Sequence, residues 1–285
     1  MTPIKTVTVL GTGVLGSQIA YQAAFHGFAV TAYDLDDVAL GKARARFAQL
    51  AGIYRAEKVA GAPDGAAETA LENLRLTADL ADAVAYADLV IEAVPELIEL
   101  KRDLYRRLAD LAPDKTIFAT NSSTLLPSDL KDSTGRPDRF LAIHYANNIW
   151  AQNIAEVMGT AETDPTVFDA VVEFARNSGL EPLEIKKEKA GYVLNSLLVP
   201  LLNAAAGLVL QGVASPETID KTWRIATGAP AGPFQIYDVV GLTTAYNIAA
   251  SSPDAGPQAF AMHLKENYID KGKLGVSSGE GFYTY

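Results

Sequence analysis

Along its first two-thirds the chain alternates short apolar, β-branched runs with stretches of helical period. TVTVL (6–10) reads as a strand, because β-branched side chains suit a pleated, half-buried backbone. GTGVLGSQIAYQAAFHG follows with small and apolar residues at helical spacing, and FAVTAYD (28–34) is a second β-rich run. Strand, helix and strand in about 30 residues make a βαβ unit. The rhythm continues with a charge-dotted helical region near 36–60 and a break at AGAPDGAAE (60–68). Further strands are predicted at NLRLT (73–77), ADLVIEAVP (87–95), KTIFATN (115–121) and RFLAIHYA (139–146). A helix, ELIELKRDLYRRLADLA, separates the second and third of these. Such alternation predicts a mostly parallel sheet with helices on both faces. After LEPLEIKKEKAG the β-rich runs stop, and helical patterns cover 191–212, 216–226, about 234–251 and 256–269. The expected organisation is an α/β domain over 1–187 and a smaller all-helical domain over 188–285.

The first βα turn carries G-x-G-x-x-G at Gly11, Gly13 and Gly16, and an acid, Asp34, ends the next strand. In that setting the hexapeptide is a dinucleotide fingerprint, which makes the first domain Rossmann-type. Gly11 serves the tight turn, Gly13 lets backbone approach the pyrophosphate, and Gly16 lets helix and strand pack closely. The helix start, with Val14 and Leu15, offers free N–H groups to the diphosphate. Asp34 is expected to accept from the adenosine ribose hydroxyls and to repel a 2′-phosphate. Leu35, Asp36 and Asp37 follow it, with no arginine to pair with such a phosphate, so the expected cofactor is NAD(H) rather than NADP(H).

In a doubly wound sheet ligands bind beyond the carboxyl ends of the strands. His144, Glu96 and the cluster Asn121-Ser122-Ser123-Thr124 all fall at such ends. If 139–145 and 154–159 are neighbouring strands, Glu156 returns beside His144. A carboxylate there would fix the imidazole tautomer and stabilise the imidazolium, which suits a base that takes an alcohol proton as hydride departs. A core histidine satisfied by a structural acid is the alternative.

Composition narrows the partners. The 285 residues are 49% hydrophobic, and 34 acids against 24 bases give a net charge of −10. That balance argues against nucleic acid, which needs a basic face. No cysteine and only three histidines exclude disulfides and thiolate catalysis and leave no metal site expected. MTPIKTVTVLGTG is too short an apolar run for a signal peptide, and 193–214, interrupted by Asn195, Pro200, Asn203 and Gln211, reads as a buried helix rather than a membrane span. The expected location is cytoplasmic.

These residues together resemble the 3-hydroxyacyl-CoA dehydrogenase family over nearly the whole chain. The matching segments are VLGTGVLGSQIA, ADLVIEAVPE, IFATNSSTL, RFLAIHYANN, AEVMG, AGYVLNSLL, GAPAGPFQIYDVVGL and GEGFYTY. The resemblance implies an NAD-dependent oxidoreductase that interconverts L-3-hydroxyacyl-CoA and 3-oxoacyl-CoA, and a homodimer built on the C-terminal domain. It implies His144 as catalytic base and acid, Glu156 as its partner, and Ser123 and Asn195 as hydrogen-bond donors to the reacting oxygen or substrate carbonyl. Asn147 would help shape that site, and Glu96 and Lys101 would line the nicotinamide side of the cofactor site. Structural alternatives stand beside these roles: Ser123 as a helix cap in competition with Ser122 and Thr124 for the substrate, Asn195 paired to backbone, Lys101 on a solvated helix face.

The chain departs from the family pattern at His-Tyr-Ala-Asn-Asn, where His-Phe-Phe-Asn-Pro is usual, and at Ser196, where an arginine is common. Asn148, Trp150, Gln152 and Asn153 add hydrogen-bonding groups in the loop after His144, so Trp150 is a candidate for shaping the substrate pocket. These stretches look most like a diketoreductase-type branch. The alternative substrates are therefore 3-oxo or 3-hydroxy compounds without CoA, such as β-dicarbonyls or gulonate-type sugar acids. A catalytically silent NAD-binding structural or sensor protein is the rival from another class. Lys42, Arg44, Arg46, Arg55 and Lys58 lie where the family holds the CoA phosphates.

Overall fold

The computed structural model describes residues 3–285, which separate into two compact units divided between Val193 and Leu194. In the first unit the chain runs through β1 (Thr6–Leu10), α1 (Val14–Phe25), β2 (Ala29–Tyr33), α2 (Asp37–Ala56), α3 (Ala66–Glu72), β3 (Leu74–Thr77) and α4 (Leu80–Val84). It continues through β4 (Leu89–Glu92), α5 (Ile98–Leu111), β5 (Ile117–Thr120), β6 (Phe140–Tyr145), β7 (Ile154–Gly159), α6 (Pro165–Asn177) and β8 (Glu181–Ile185). The eight strands form one sheet in the order β3-β2-β1-β4-β5-β6-β7-β8. Every neighbouring pair is parallel except β6–β7, which is antiparallel.

Strand side chains alternate between two cores, as a period of two requires. Val7, Val9, Leu89, Ile91, Ile117, Ala119, Leu141 and Ile143 pack with α1, α2, α3 and α6. Leu10, Val90, Phe118 and Phe140 face the other way, against α4 and α5. Because both faces of β1, β4, β5 and β6 are covered, those strands read as unbroken apolar runs.

Four elements of this unit were absent from the sequence expectation: α3, α4, α6 and β8. α6 starts at Pro165, with the Asp164 side chain accepting from Thr166 N–H. β8, EPLEI, is half polar and carries Pro182; it lies at the sheet edge, where a missing N–H and charged side chains are tolerated. The expected boundary after 187 fell just past β8. Residues 188–193 stay with the first unit because Tyr192 donates to the Ser122 carbonyl and Val193 N–H to Glu156.

The second unit is all helical: α7 (Leu194–Leu210), α8 (Pro216–Thr227), α9 (Pro233–Val240), α10 (Leu242–Ala250) and α11 (Ala255–Asn267). The helix expected over about 234–251 is two, α9 and α10. Gly241 adopts φ +91°, and its N–H bonds back to Tyr237, which ends α9. Two buried aspartates tie this unit together. Asp220 accepts from the N–H groups of Phe234 and Gln235 and from the Tyr283 hydroxyl. Asp238 accepts from the N–H groups of Phe282 and Tyr283 and from the Tyr285 hydroxyl, which fixes the terminal GEGFYTY segment. Among the described residues no helix is long and apolar enough to cross a membrane.

Candidate active site

The glycine loop separates three physical demands. Gly11 has φ +93°, and a Cβ there would lie 2.7 Å from the Ala93 carbonyl oxygen, so the backbone just past β4 approaches too closely for any side chain. A Cβ on Gly16 would lie 2.0 Å from the Gly11 oxygen. Gly13, by contrast, has open space in front of it and caps α1 with an extended backbone. The fold does not need a glycine at that position, but a bound phosphate does. Val14, Leu15 and Gly16 open the helix, where N–H groups have no intrahelical acceptor, and Val14 is exposed. Gly11, Gly13, Tyr33, Asp34, Leu35, Val94, Pro95 and Leu100 help to line a cavity of about 530 Å³. The largely apolar wall, the free helix end and one acid suit an adenine dinucleotide.

Asp34 stands just past β2 with its carboxylate in this cavity. Oδ2 accepts from the Thr12 N–H (2.8 Å) and hydroxyl (2.6 Å), and Oδ1 from the Leu35 N–H (2.8 Å). Burial works to raise its pKa, but these bonds and the charge of Arg46 outweigh it, and the carboxyl sits below its ordinary value. Asp36 instead caps α2, accepting from the Ala39 N–H.

His144 and Glu156 face each other directly in the antiparallel β6–β7 ladder. Cross-strand neighbours in such a pair hold their Cβ atoms about 4.5–5.5 Å apart on the same face. His144 Nδ1 and Glu156 Oε2 are accordingly 3.0 Å apart, and both side chains are buried. The other oxygen of Glu156 accepts from the Val193 N–H at 2.9 Å. The Tyr192 ring stacks on the imidazole, with centroids 4.5 Å apart and planes 15° from parallel. Tyr192 holds that place with φ +51°, a left-handed conformation that costs a tyrosine energy, and its hydroxyl donates to the Ser122 carbonyl. With Glu156 ionised, Nδ1 carries the proton and Nε2 presents the lone pair.

The 121–124 cluster divides its labour. Asn121 Oδ1 accepts from the Tyr145 N–H. The Ser122 and Thr124 hydroxyls both donate to Glu96, and Ser122 also receives the Leu125 N–H. The Ser123 hydroxyl makes no hydrogen bond to any described residue, while its carbonyl accepts from Gly191 N–H. Ser123 is therefore the hydroxyl still open to a ligand, and it caps no helix.

Glu96 is half-buried, and Lys101 is almost wholly buried on α5 rather than on a solvated face. Lys101 Nζ reaches Glu92 Oε1 (2.5 Å), Glu96 Oε2 (3.1 Å) and the Val94 carbonyl (3.4 Å). Its donors are spent on protein, so any part it takes in a cofactor site runs through Glu96. Burial pushes the Glu96 pKa up, but the bonds from Ser122 and Thr124 and the Lys101 charge bring it down to about 2. Burial dominates at Glu92 and raises its pKa despite Lys101, Thr120 and the Val94 N–H.

The remaining expected positions are dispersed. Asn147 is exposed. Trp150 packs on Tyr54 of α2 and donates its indole N–H to Glu57 at 2.6 Å, so that hydrogen bond is already taken. Asn195 sits in the first turn of α7, in the second unit, half-buried. Glu92, Tyr192 and Arg46 were not singled out from sequence as parts of the cofactor and proton-transfer sites. Glu92 could have been: it is an acid closing an apolar strand, LVIE, the same signal that marked Glu156. Nothing local marks Tyr192 or Arg46, whose partners are distant in the chain. No cluster of three or more histidine, aspartate and glutamate side chains suited to a metal occurs among the described residues.

A fingerprint loop over a parallel sheet, an acid in the cavity beside it and a histidine–carboxylate pair at the strand ends fit an NAD-dependent oxidoreductase of the kind that acts on CH–OH groups. The chain belongs to the 3-hydroxyacyl-CoA dehydrogenase family. The family's NAD binding domain matches residues 6–188 and its C-terminal domain residues 191–285. Mitochondrial hydroxyacyl-coenzyme A dehydrogenase of Rattus norvegicus is 34% identical over 99% of this chain and 91% of its own length. A probable 3-hydroxybutyryl-CoA dehydrogenase of Bacillus subtilis is 32% identical over 99% of this chain and 98% of its own. Among solved structures, a diketoreductase described as performing dual catalysis of dicarbonyl compounds covers 100% of both chains at 67% identity and a TM-score of 0.95.

Proposed function

We propose that the chain interconverts L-3-hydroxyacyl-CoA and 3-oxoacyl-CoA, with His144 as the proton-transfer group. The observation that carries this reading is the buried His144–Glu156 pair held in register by the β6–β7 ladder. Bound NAD(H) would accept or supply the hydride. In oxidation, His144 Nε2 takes the hydroxyl proton, and the positive charge that develops on the ring is stabilised by Glu156. Val193 N–H keeps Glu156 facing the ring, and Tyr192 fixes the ring plane. Ser123 donates to the reacting oxygen, the work that the family resemblance also assigns to Asn195. In reduction the imidazolium returns the proton to the oxygen.

A second reading, reduction of 3-oxo compounds without CoA, is favoured by the 67% identity to the diketoreductase. The candidate phosphate cations favour it too. Arg55 pairs with Glu68 and Arg46 is turned onto the Thr12 carbonyl, which leaves Lys42, Arg44 and Lys58 exposed. Measuring kcat/KM for acetoacetyl-CoA and for a small β-keto ester separates the two. A thioester preference above about 1000-fold, about 4 kcal/mol of transition-state binding, is the expected result if CoA is the handle. Comparable values would transfer the assignment to dicarbonyl compounds.

The assembly we propose is a homodimer through the second unit. α7 buries Leu202, Ala205 and Ala206 but exposes Leu197, Val199, Leu208 and Leu210, an apolar face for a second copy to cover. A light-scattering mass near twice 30.3 kDa at micromolar concentration is expected. A monomer would refute it.

A further inference from the structure

The residues that follow Asp34 in sequence offer no cation, but the fold brings one to the wall of its cavity and a second to the Thr12 that holds it. Arg107 of α5 lines the wall and is exposed. Arg46, three turns into α2, is half-buried and donates from Nη1 to the Thr12 carbonyl at 3.0 Å. Thr12 in turn supplies the N–H and the hydroxyl that hold Asp34 Oδ2. The guanidinium is thus one residue removed from the Asp34 carboxylate, yet no ion pair within 4 Å joins the two among the described residues. An arginine carries five N–H donors in a planar fork, and only one of those on Arg46 has a protein partner among the described residues. The charge of Arg46 also helps to keep Asp34 ionised.

We propose that Arg46 is a cofactor-specificity residue: it supplies the cationic half of a 2′-phosphate subsite that Asp34 keeps closed. The inference rests on the NAD-binding assignment and deepens it. A 2′-phosphate carries about two negative charges and would meet the Asp34 carboxylate at close range, where like-charge repulsion opposes any attraction to a more distant guanidinium. A ribose hydroxyl instead finds an acceptor there. Once the carboxylate is gone, its repulsion no longer opposes the uncommitted N–H groups of Arg46, one residue away, and a charge-assisted bond from them to a 2′-phosphate becomes favourable.

The test is calorimetric titration of the full-length protein with 2′,5′-ADP, which carries the 2′-phosphate without the nicotinamide, and with 5′-AMP. Asp34→Ser is expected to bind 2′,5′-ADP at least about tenfold more tightly than the native protein, the scale of one charge-assisted pair. Adding Arg46→Gln should remove that gain, and adding Arg107→Gln should leave it. A gain that is absent, that survives the loss of Arg46, or that disappears only with Arg107 overturns the proposal. If circular dichroism shows that Asp34→Ser does not fold, Asp34→Asn, which keeps an oxygen for Thr12, carries the same expectations. NADH binding by the native protein, followed by quenching of tryptophan fluorescence, separates the two levels. Its absence removes the dinucleotide assignment itself, whereas NADH binding with no gain in the variants removes only the role of Arg46.

Discussion

Replacing His144 with glutamine is expected to lower kcat by at least about 100-fold while NADH affinity stays within about threefold of native, because proton transfer by a positioned base contributes roughly 10²–10⁴ in rate. Glutamine is close in size and can still hydrogen-bond Glu156, so the β6–β7 ladder keeps its geometry and only the titratable nitrogen is lost. Steady-state rates with acetoacetyl-CoA and a fluorescence titration with NADH check the two halves separately. Turnover near the native rate would take His144 out of the mechanism. Glu156→Gln should also slow turnover, by less. The amide keeps one oxygen, which can accept from Nδ1 or from the Val193 N–H but no longer from each on its own oxygen, and it offers no charge to the imidazolium. The contrast between the two variants distinguishes a catalytic pair from a buried structural one, in which both substitutions would lower stability and neither would act on kcat alone.

Gly16→Ala is expected to cost the first unit about 3 kcal/mol, the upper end of the usual penalty for overpacking, and to lower Tm by roughly 5–12 °C, given the entropy of unfolding of a unit this size. The atom that meets the new methyl is the Gly11 carbonyl oxygen at 2.0 Å, which is backbone and cannot rotate away, and the Ala93 methyl closes the other side at 3.4 Å. The loop can yield only by moving Gly11, which is itself held against the backbone just past β4. That movement displaces the N–H groups that open α1, so NADH should no longer raise the melting temperature as it does for any protein that binds ligand only when folded. Thermal melts with and without NADH measure both effects. A variant that melts with the native protein and still responds to NADH would show that helix and strand do not meet here as closely as described.

Much of this was legible in the chain because the signals were local. The glycine loop, Asp34 and the strand-end placement of His144 follow from period and spacing alone, and the return of Glu156 beside His144 followed once two apolar runs were taken as neighbours. What escaped lacked a local signal. β8 has neither alternation nor an apolar run, since an edge strand beside solvent needs neither. The division of one expected helix into α9 and α10 turns on a single glycine inside an otherwise helical pattern. Glu96 was marked at a strand end, but its clamp on Ser122 and Thr124 spans 26 and 28 residues. Arg46 reaches Thr12 across 34 residues, so a reading confined to the neighbours of Asp34 found no cation. In each case the missing information is tertiary: which distant group completes a charge or fills a donor.

The His144–Glu156 pair is specified by strand register, and the twelve positions that separate the two residues in the chain do not specify it. Residues could be added to or removed from the connection at 146–153 and the ladder would still bring the ring to the carboxylate. A shift of one residue within β6 or β7 would send the acid to the opposite face of the sheet. Searches for this apparatus that fix the gap between histidine and acid would therefore pass over relatives whose connection has a different length. A search for an antiparallel strand pair with both groups on one face would find them.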